Sequence, residues 1–480
     1  MKKLSVSLIA ICIISQLKAQ DIAGSWVGSI PAGGISLHII FNIKKTADTG
    51  YSATFDVPEQ KAVGIPCSKI YKIKDSVFIE IAIIKGGYKG LWDMHNGMTG
   101  TYRQGGGQTG LNLSRVTDAE KTALSTPKVR PQTPKPPFNY YTEDVEYDNA
   151  DKSLHYGATF TRPNGDGKYP AVIIISGSGT QNRNGAMMGH DFYWVLADYL
   201  TKNGIAVLRV DDRGAGKSTL GSDATNATSL SFSYDVETSL NYLESRMDVD
   251  KKHLGLIGHS EGGIIAPMVA ARRKDVSFIV LWGASAIGGE KISIEQNGYG
   301  LRHAGVDSLS ADAYMQLHRQ ILDLLKSSAS RENFDQQVGV VYNAWKSKQT
   351  PKTLAALGVN NNSILGKDVF ATYNGLYDVA WIRFFMSYDP AKDLSMVTCP
   401  VLAINGGKDT QVIASENLPV IKSVLTKSGN KDVTTIAIPN LNHFLQTAVT
   451  GDISETEKID ETISPVALNI ICNWIKLHTK

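Results

Sequence analysis

The chain is poor in cysteine, in surplus charge and in long apolar stretches. Only four of its 480 residues are cysteine, at positions 12, 67, 399 and 472. That excludes a small disulfide scaffold, and the wide spacing fits no zinc-ligand pattern. Lys and Arg number 49 against 46 Asp and Glu, a formal charge of +3. So small a surplus supplies no basic face for nucleic acid or for an anionic membrane. Neither a His-Glu-x-x-His stretch nor a Cys/His cluster occurs, so no catalytic metal and no cofactor are expected. Past residue 19, no apolar run reaches the roughly 18 residues of a membrane-spanning helix. What is present is 42% hydrophobic and 20% charged, an ordinary globular balance with a core to bury.

Residues 1–19, MKKLSVSLIAICIISQLKA, read as a secretory signal peptide. Lys2 and Lys3 make the basic start, Leu4 to Ile14 the apolar run, and Ala19 the small residue at a cleavage point. The reading implies export to the periplasm or the extracellular space. Lys2, Lys3 and Lys18 account for the whole charge surplus, and without them 46 basic residues face 46 acidic ones. Cys12 leaves with the leader, and the remaining three cysteines cannot all pair; buried thiols are expected.

Residues 20–116 read as an all-β module of short apolar runs and Gly-rich turns. Residues 117–142 hold five of the 17 prolines, at 127, 131, 134, 136 and 137, and read as a semi-extended linker. From 143 to 480 strand-like and helical stretches alternate. Strands are expected at 140–147, 154–161, 171–176, 205–210, 253–258, 277–282, 401–405 and 433–438. Strands apolar on both faces and separated by helices imply a mostly parallel sheet covered on both sides, an α/β architecture. A helical insertion at 290–390 precedes the last two strands and is expected to lie over the sheet as a lid.

The strongest chemical signal is Gly258-His259-Ser260-Glu261-Gly262-Gly263, between the apolar run 254–257 and the helical stretch 264–272. Gly-x-Ser-x-Gly at a strand-to-helix turn holds a serine hydroxyl clear of the sheet edge. Such a hydroxyl needs a base, and the base an orienting acid. Of the histidines after Ser260, His303 and His318 fall in the insertion and His478 at the end, which leaves His443 after the last strand. Asp409 follows strand 401–405 and precedes His443 by 34 residues, room for one helix and one strand. Asp389, Asp393 and Asp432 are worse placed. For the oxyanion hole, one donor amide is expected on Glu261 and the other on Ser178, with Gly179 as the alternate. The run Asp211–Ser218 ends like a phosphate-binding loop, but Asp211 stands where that motif needs glycine, so nucleotide binding is not expected. The role of the Glu261 carboxylate stays open.

With these residues in place, the chain resembles the α/β-hydrolase superfamily, and within it secreted bacterial esterases of the EstD type, also described as serine aminopeptidase S33-like. The resemblance rests on segments 175–179, 196–200, 210–214, 257–263 and 266–268, with 24–28 and 100–106 similar to an N-terminal β-module of related proteins. Thr180-Gln181-Asn182-Arg183 departs from the Pro-Gln-Asp-Arg usual there. The resemblance implies hydrolysis of a small-molecule carboxylic ester through an acyl-enzyme. An aminopeptidase with the same triad is a second reading, and a carbohydrate- or partner-binding role of the β-module, through Trp26, Tyr51, Trp92 and Tyr102, a third. The sequence leaves oligomeric state and acyl specificity open.

Overall fold

The computed structural model describes residues 21–480 apart from 33–34, 49, 59–61, 85, 105–106, 126–129, 360–372 and 374–375. The signal-peptide reading of 1–19 lies outside the described residues. The chain forms two compact units, Met1–Pro127 and Lys128–Lys480.

The first unit is one antiparallel sheet. Its strands are β1 (Gly24–Ala32), β2 (Ile35–Lys45), β3 (Tyr51–Val57), β4 (Ala62–Pro66), β5 (Lys69–Ile73), β6 (Ser76–Ile81), β7 (Gly86–Trp92), β8 (Gly97–Gln104) and β9 (Gly107–Val116). Period-2 alternation sets the inward face: Leu37, Ile39, Phe41 and Ile43 on β2, Val77, Ile79 and Ile81 on β6. The spatial order β4-β3-β2-β1-β9-β8-β7-β6-β5 puts β4 and β5 at opposite edges, yet only Cys67 and Ser68 separate them in sequence. The Cys67 amide donates to Ala53 on β3, and the next amide, Ser68, to Glu80 on β6. The stretch 62–73 thus pairs with β3 over its first half and with β6 over its second, and these two adjacent amides join the ends of the sheet. Trp26, Trp92 and Tyr102 are buried inside it, and the Tyr51 hydroxyl donates to Asp21. Trp26, Trp92 and Tyr102 belong to the core and Tyr51 is partly buried against it, so the four do not form the exposed stacking face considered for a binding role.

The stretch read as an extended linker, 117–142, opens instead with helix α1 (Asp118–Ser125). Thr117 Oγ1 accepts from the Glu120 amide, and the Glu120 carboxylate accepts from the Thr117 amide and hydroxyl. This reciprocal capping box lay in the sequence as Thr-x-x-Glu and outweighs the prolines that follow.

The second unit is an eight-stranded sheet with strands β10 (Tyr141–Asp148), β11 (His155–Arg162), β12 (Tyr169–Ile175), β15 (Ala206–Val210), β16 (Val249–His259), β17 (Val276–Trp282), β18 (Val401–Gly406) and β19 (Val433–Ile438). The pairs β13 (Ala186–Met187) and β14 (His190–Asp191) form a separate small hairpin. The order is β10-β11-β15-β12-β16-β17-β18-β19, antiparallel from β10 to β15 and parallel from there on. Runs such as Ala171–Ile175 and Val401–Gly406 are buried throughout, as strands covered on both faces must be. Helices α2 (Phe192–Lys202), α3 (Ser229–Ser245) and α4 (Gly262–Arg272) link the early parallel strands.

Between β17 and β18 run α5 (Gly289–His303), α6 (Ser308–Ser327), α7 (Arg331–Lys346), α8 (Pro351–Ala356), α9 (Ala380–Ser387) and α10 (Pro390–Leu394). Leu317, Ile321, Leu322, Phe334, Val338 and Trp345 give this segment a core of its own. Helix α11 (Ala414–Lys427) joins β18 to β19, and α12 (Pro465–Leu477) ends the fold. Cys67, Cys399 and Cys472 are free thiols among the described residues; Cys472 is buried, whereas Cys67 and Cys399 are only partly so, a correction to the expectation of burial.

Candidate active site

Strand β16 ends at His259, α4 begins at Gly262, and Ser260 takes the turn between them in the left-handed region, φ 54°. A non-glycine residue held there stores about 1–3 kcal/mol of strain, which the neighbours must offset. The glycines explain how they approach so closely. A Cβ on Gly258 would sit 2.1 Å from Gly262 O, and one on Gly262 would sit 2.4 Å from Ile175 O. The Ser260 amide donates to Trp282 O at 2.8 Å, tying the turn to the end of β17.

The next residue, Gly283, has φ 58°, and a Cβ there would lie 3.1 Å from His443 Nδ1 and 3.6 Å from Asp409 Oδ2. Trp282 Nε1 donates to His443 O at 3.0 Å. The Trp282-Gly283 step thus brings Ser260, His443 and Asp409 to one sheet edge. His443 Nδ1 lies 2.8 Å from Asp409 Oδ2. Asp409 Oδ1 accepts from the amides of Gln411 and Val412, both at 2.8 Å, so the carboxylate is fully engaged and buried. The Ser260 hydroxyl is not hydrogen-bonded to the His443 ring among the described residues; such bonds commonly close only when substrate is bound. The passed-over acids are occupied elsewhere. Asp389 caps α10, Asp393 accepts from Tyr388, and Asp432 faces His478.

The loop after β12 runs past the serine turn. A Cβ on Gly177 would lie 3.2 Å from Ser260 Cβ, and the Gly177 amide donates to Tyr193 Oη. The amides of Ser178, Gly179 and Glu261 make no hydrogen bond among the described residues. They are free for an incoming oxygen. Asp212 clamps this loop from below: the Ser176 hydroxyl donates to one of its oxygens at 2.6 Å and the Gln181 amide to the other at 2.8 Å.

The Asp211–Ser218 run closes on its own carboxylate. Asp211 accepts from the Arg183 and Lys217 amides and pairs with the Arg183 guanidinium. The Asp212, Gly214, Ala215 and Ser218 amides donate to backbone oxygens. Arg213 pairs with Asp235 and Asp223.

A cavity of about 280 Å³ opens beside the loop, lined by Gly177, Gly179, Phe232, Ile265 and Trp381, with Asp212 and Glu261 among its polar groups. Burial pushes the Asp212 carboxyl up to about 7 and raises that of Glu261; neither has a cationic partner among the described residues. His259, packed against Trp282 and the His443 ring, is held well below the usual imidazole range by burial. It therefore stays neutral. Sequence reasoning missed Asp212, Trp282, Gly283 and Trp381. Of these, only Asp212 carried a signal, as part of an acidic run directly after a strand.

Residues 184–310, which contain the serine turn, match the family model described as Hydrolase_4: Serine aminopeptidase, S33. The second unit has the α/β-hydrolase fold. The chain is also 25% identical over 286 residues to the esterase EstD of Thermotoga maritima, a match covering 59% of this chain. It spans 57% of the length of that relative. Solved structures similar to the chain include a hypothetical protein from Pseudomonas aeruginosa, 14% identical, with 71% of this chain and 94% of that one covered and a TM-score of 0.42. Another is an esterase from Pyrococcus furiosus, 14% identical, with 71% and 92% covered and a TM-score of 0.41.

Proposed function

We propose that the protein is a serine hydrolase of carboxylic esters with small to medium acyl groups. The observation that carries this reading is the buried 2.8 Å contact of His443 with Asp409, beside a serine in a left-handed strand-to-helix turn. In the reaction, His443 takes the Ser260 proton through Nε2 as the hydroxyl attacks the ester carbonyl. Asp409, on Nδ1, fixes the tautomer that leaves Nε2 free to accept. The amides of Glu261 and Ser178 receive the developing oxyanion. His443 then protonates the leaving alcohol, and water repeats the sequence on the acyl-enzyme. The cavity of about 280 Å³, just under the roughly 300–1,000 Å³ of pockets that hold drug-sized ligands, suits a compact acyl group. The helices between β17 and β18 act in this reading as the lid, with Trp381 reaching the cavity.

Ser260→Ala is expected to lose nearly all esterase activity, and a serine-reactive phosphonate to label Ser260 in the intact enzyme. Full activity in that variant, or labelling of another residue, overturns the assignment. One observation favours a second reading, an aminopeptidase: Asp212 and Glu261 are buried at the cavity without a counter-ion among the described residues, as a site for a substrate ammonium would need. Turnover of p-nitrophenyl acetate beside an aminoacyl-p-nitroanilide separates the two. Export is part of the proposal, and an N-terminus at residue 20 in protein recovered outside the cytoplasm tests it.

A further inference from the structure

Glu261 is 4% exposed, and none of the described residues forms an ion pair with it. Its carboxylate is nevertheless crowded with donors. Oε1 accepts from Ser229 Oγ and from Trp381 Nε1, both at 2.6 Å. These donors come from two elements: Ser229 opens α3, and Trp381 lies on α9 between β17 and β18 and borders the cavity. Glu261 itself bears directly on the reaction, because its free amide follows Ser260 and is one of the oxyanion donors.

A lone buried carboxylate is a costly device, several kcal/mol before its hydrogen bonds are counted. Leucine would fill the same space without that cost. What leucine cannot do is hold two donors at fixed distances from one backbone. Oxyanion stabilisation demands such fixity, because donors displaced by a fraction of an ångström lose most of their effect.

We propose that the Glu261 side chain is a positioning residue for the oxyanion hole, tying Trp381 and the start of α3 to the serine turn so that the Glu261 donor amide is correctly placed only while helix Ala380–Ser387 is docked. The inference rests on the serine-hydrolase reading, which Ser260→Ala tests separately.

The experiment uses the full chain with p-nitrophenyl acetate as substrate and phenylboronic acid as probe of the tetrahedral state. Glu261→Leu is expected to lower kcat about 100-fold, the scale of losing one oxyanion donor, with KM within about threefold. The boronate Ki should rise by a similar factor. Glu261→Gln keeps an acceptor oxygen for Ser229 and Trp381 and should recover most of the loss. Trp381→Phe, which removes one donor and keeps the ring, should lower kcat about tenfold, one donor's share of the effect. A Glu261→Leu enzyme with kcat within threefold of the parent overturns the proposal while leaving the serine reading intact. So does a fall in kcat with an unmoved boronate Ki, the mark of general damage. Should Glu261→Leu not fold, Trp381→Phe decides: kcat and boronate Ki both unchanged overturn it.

Discussion

Asp409 uses its two oxygens for different tasks, and that division makes an informative substitution possible. Oδ1 is saturated by the Gln411 and Val412 amides, while Oδ2 faces His443 Nδ1. In Asp409→Asn the amide oxygen stays with the two backbone donors, because the NH₂ group cannot accept from them. The NH₂ then points at Nδ1 and forces that nitrogen to accept. The imidazole proton moves to Nε2, where it blocks uptake of the Ser260 proton. We expect kcat to fall about 10³- to 10⁴-fold with KM nearly unchanged and the fold intact. Steady-state kinetics beside a thermal melt check this, and a loss under tenfold would show that Asp409 does not set the tautomer. At this scale the sequence was legible where chemistry fixes spacing. Ser260, Asp409 and His443 could be named because strand-to-helix context, chain order and loop position narrow the choice. Trp282 and Gly283 could not, since neither belongs to a motif; they matter only because β17 ends beside the loop carrying His443.

The loop from 439 to 464 is a long irregular element, and it must still hold His443 to a fraction of an ångström. Its order comes from side chains. Asn442 Oδ1 accepts from the Phe444 and Gln446 amides, and the buried His190 contacts Thr456 O and Thr462. Arg130 is the main anchor at the far end. Its guanidinium, 1% exposed, donates to Met188 O, Gly189 O, Glu457 O and Ile459 O, joining the β13–β14 hairpin to this loop. Arg130→Met keeps the apolar stem and orphans those carbonyls. The expected effect is about 2–4 kcal/mol of lost stability, the scale for several buried acceptors left unpaired, and faster heat inactivation. At 25 °C kcat should stay within about threefold, because no partner of Arg130 touches the site. An unchanged melting temperature would show that the anchor is idle. Element by element, the strands of the second unit were readable because buried parallel strands are apolar throughout. Helix α1 was not, because a single eight-residue helix held by the Thr117–Glu120 capping box shows no apolar period and is followed at once by prolines. The joining of the first sheet's ends was hidden too, since it turns on two adjacent amides, Cys67 and Ser68, pairing in opposite directions.

Across the whole molecule the formal charge is only +3, so pH acts on stability through a few buried groups rather than through net charge. Those groups pull in opposite directions. Burial among Tyr314, Tyr373 and Ser293 lowers His318 to about 4, and His259 is lowered as well. Between pH 4 and 6.5 the unfolded chain binds protons these histidines refuse, so their contribution is complete above 6.5 and is lost as pH falls. Asp212, raised to about 7 by burial and by the like charges of Glu261 and Asp211, does the reverse. The folded chain keeps its proton up to about 7 whereas the unfolded chain releases it near the model value of 3.8, so stability is lost as pH rises through that window. Glu261 and Asp235, also raised by burial, add to this second term. The opposing slopes should leave a nearly flat stability profile between pH 4 and 6.5. Asp212→Asn removes one slope and leaves the others. Relative to the parent, its urea-unfolding stability should improve by up to about 1.4 kcal/mol per pH unit from about pH 4 to 7 and level off above. Loss of the acceptor for the Gln181 amide adds only a pH-independent offset. A gap between variant and parent that stays constant across that range would mean that Asp212 is ionised throughout, and the opposition between buried acids and histidines would not hold.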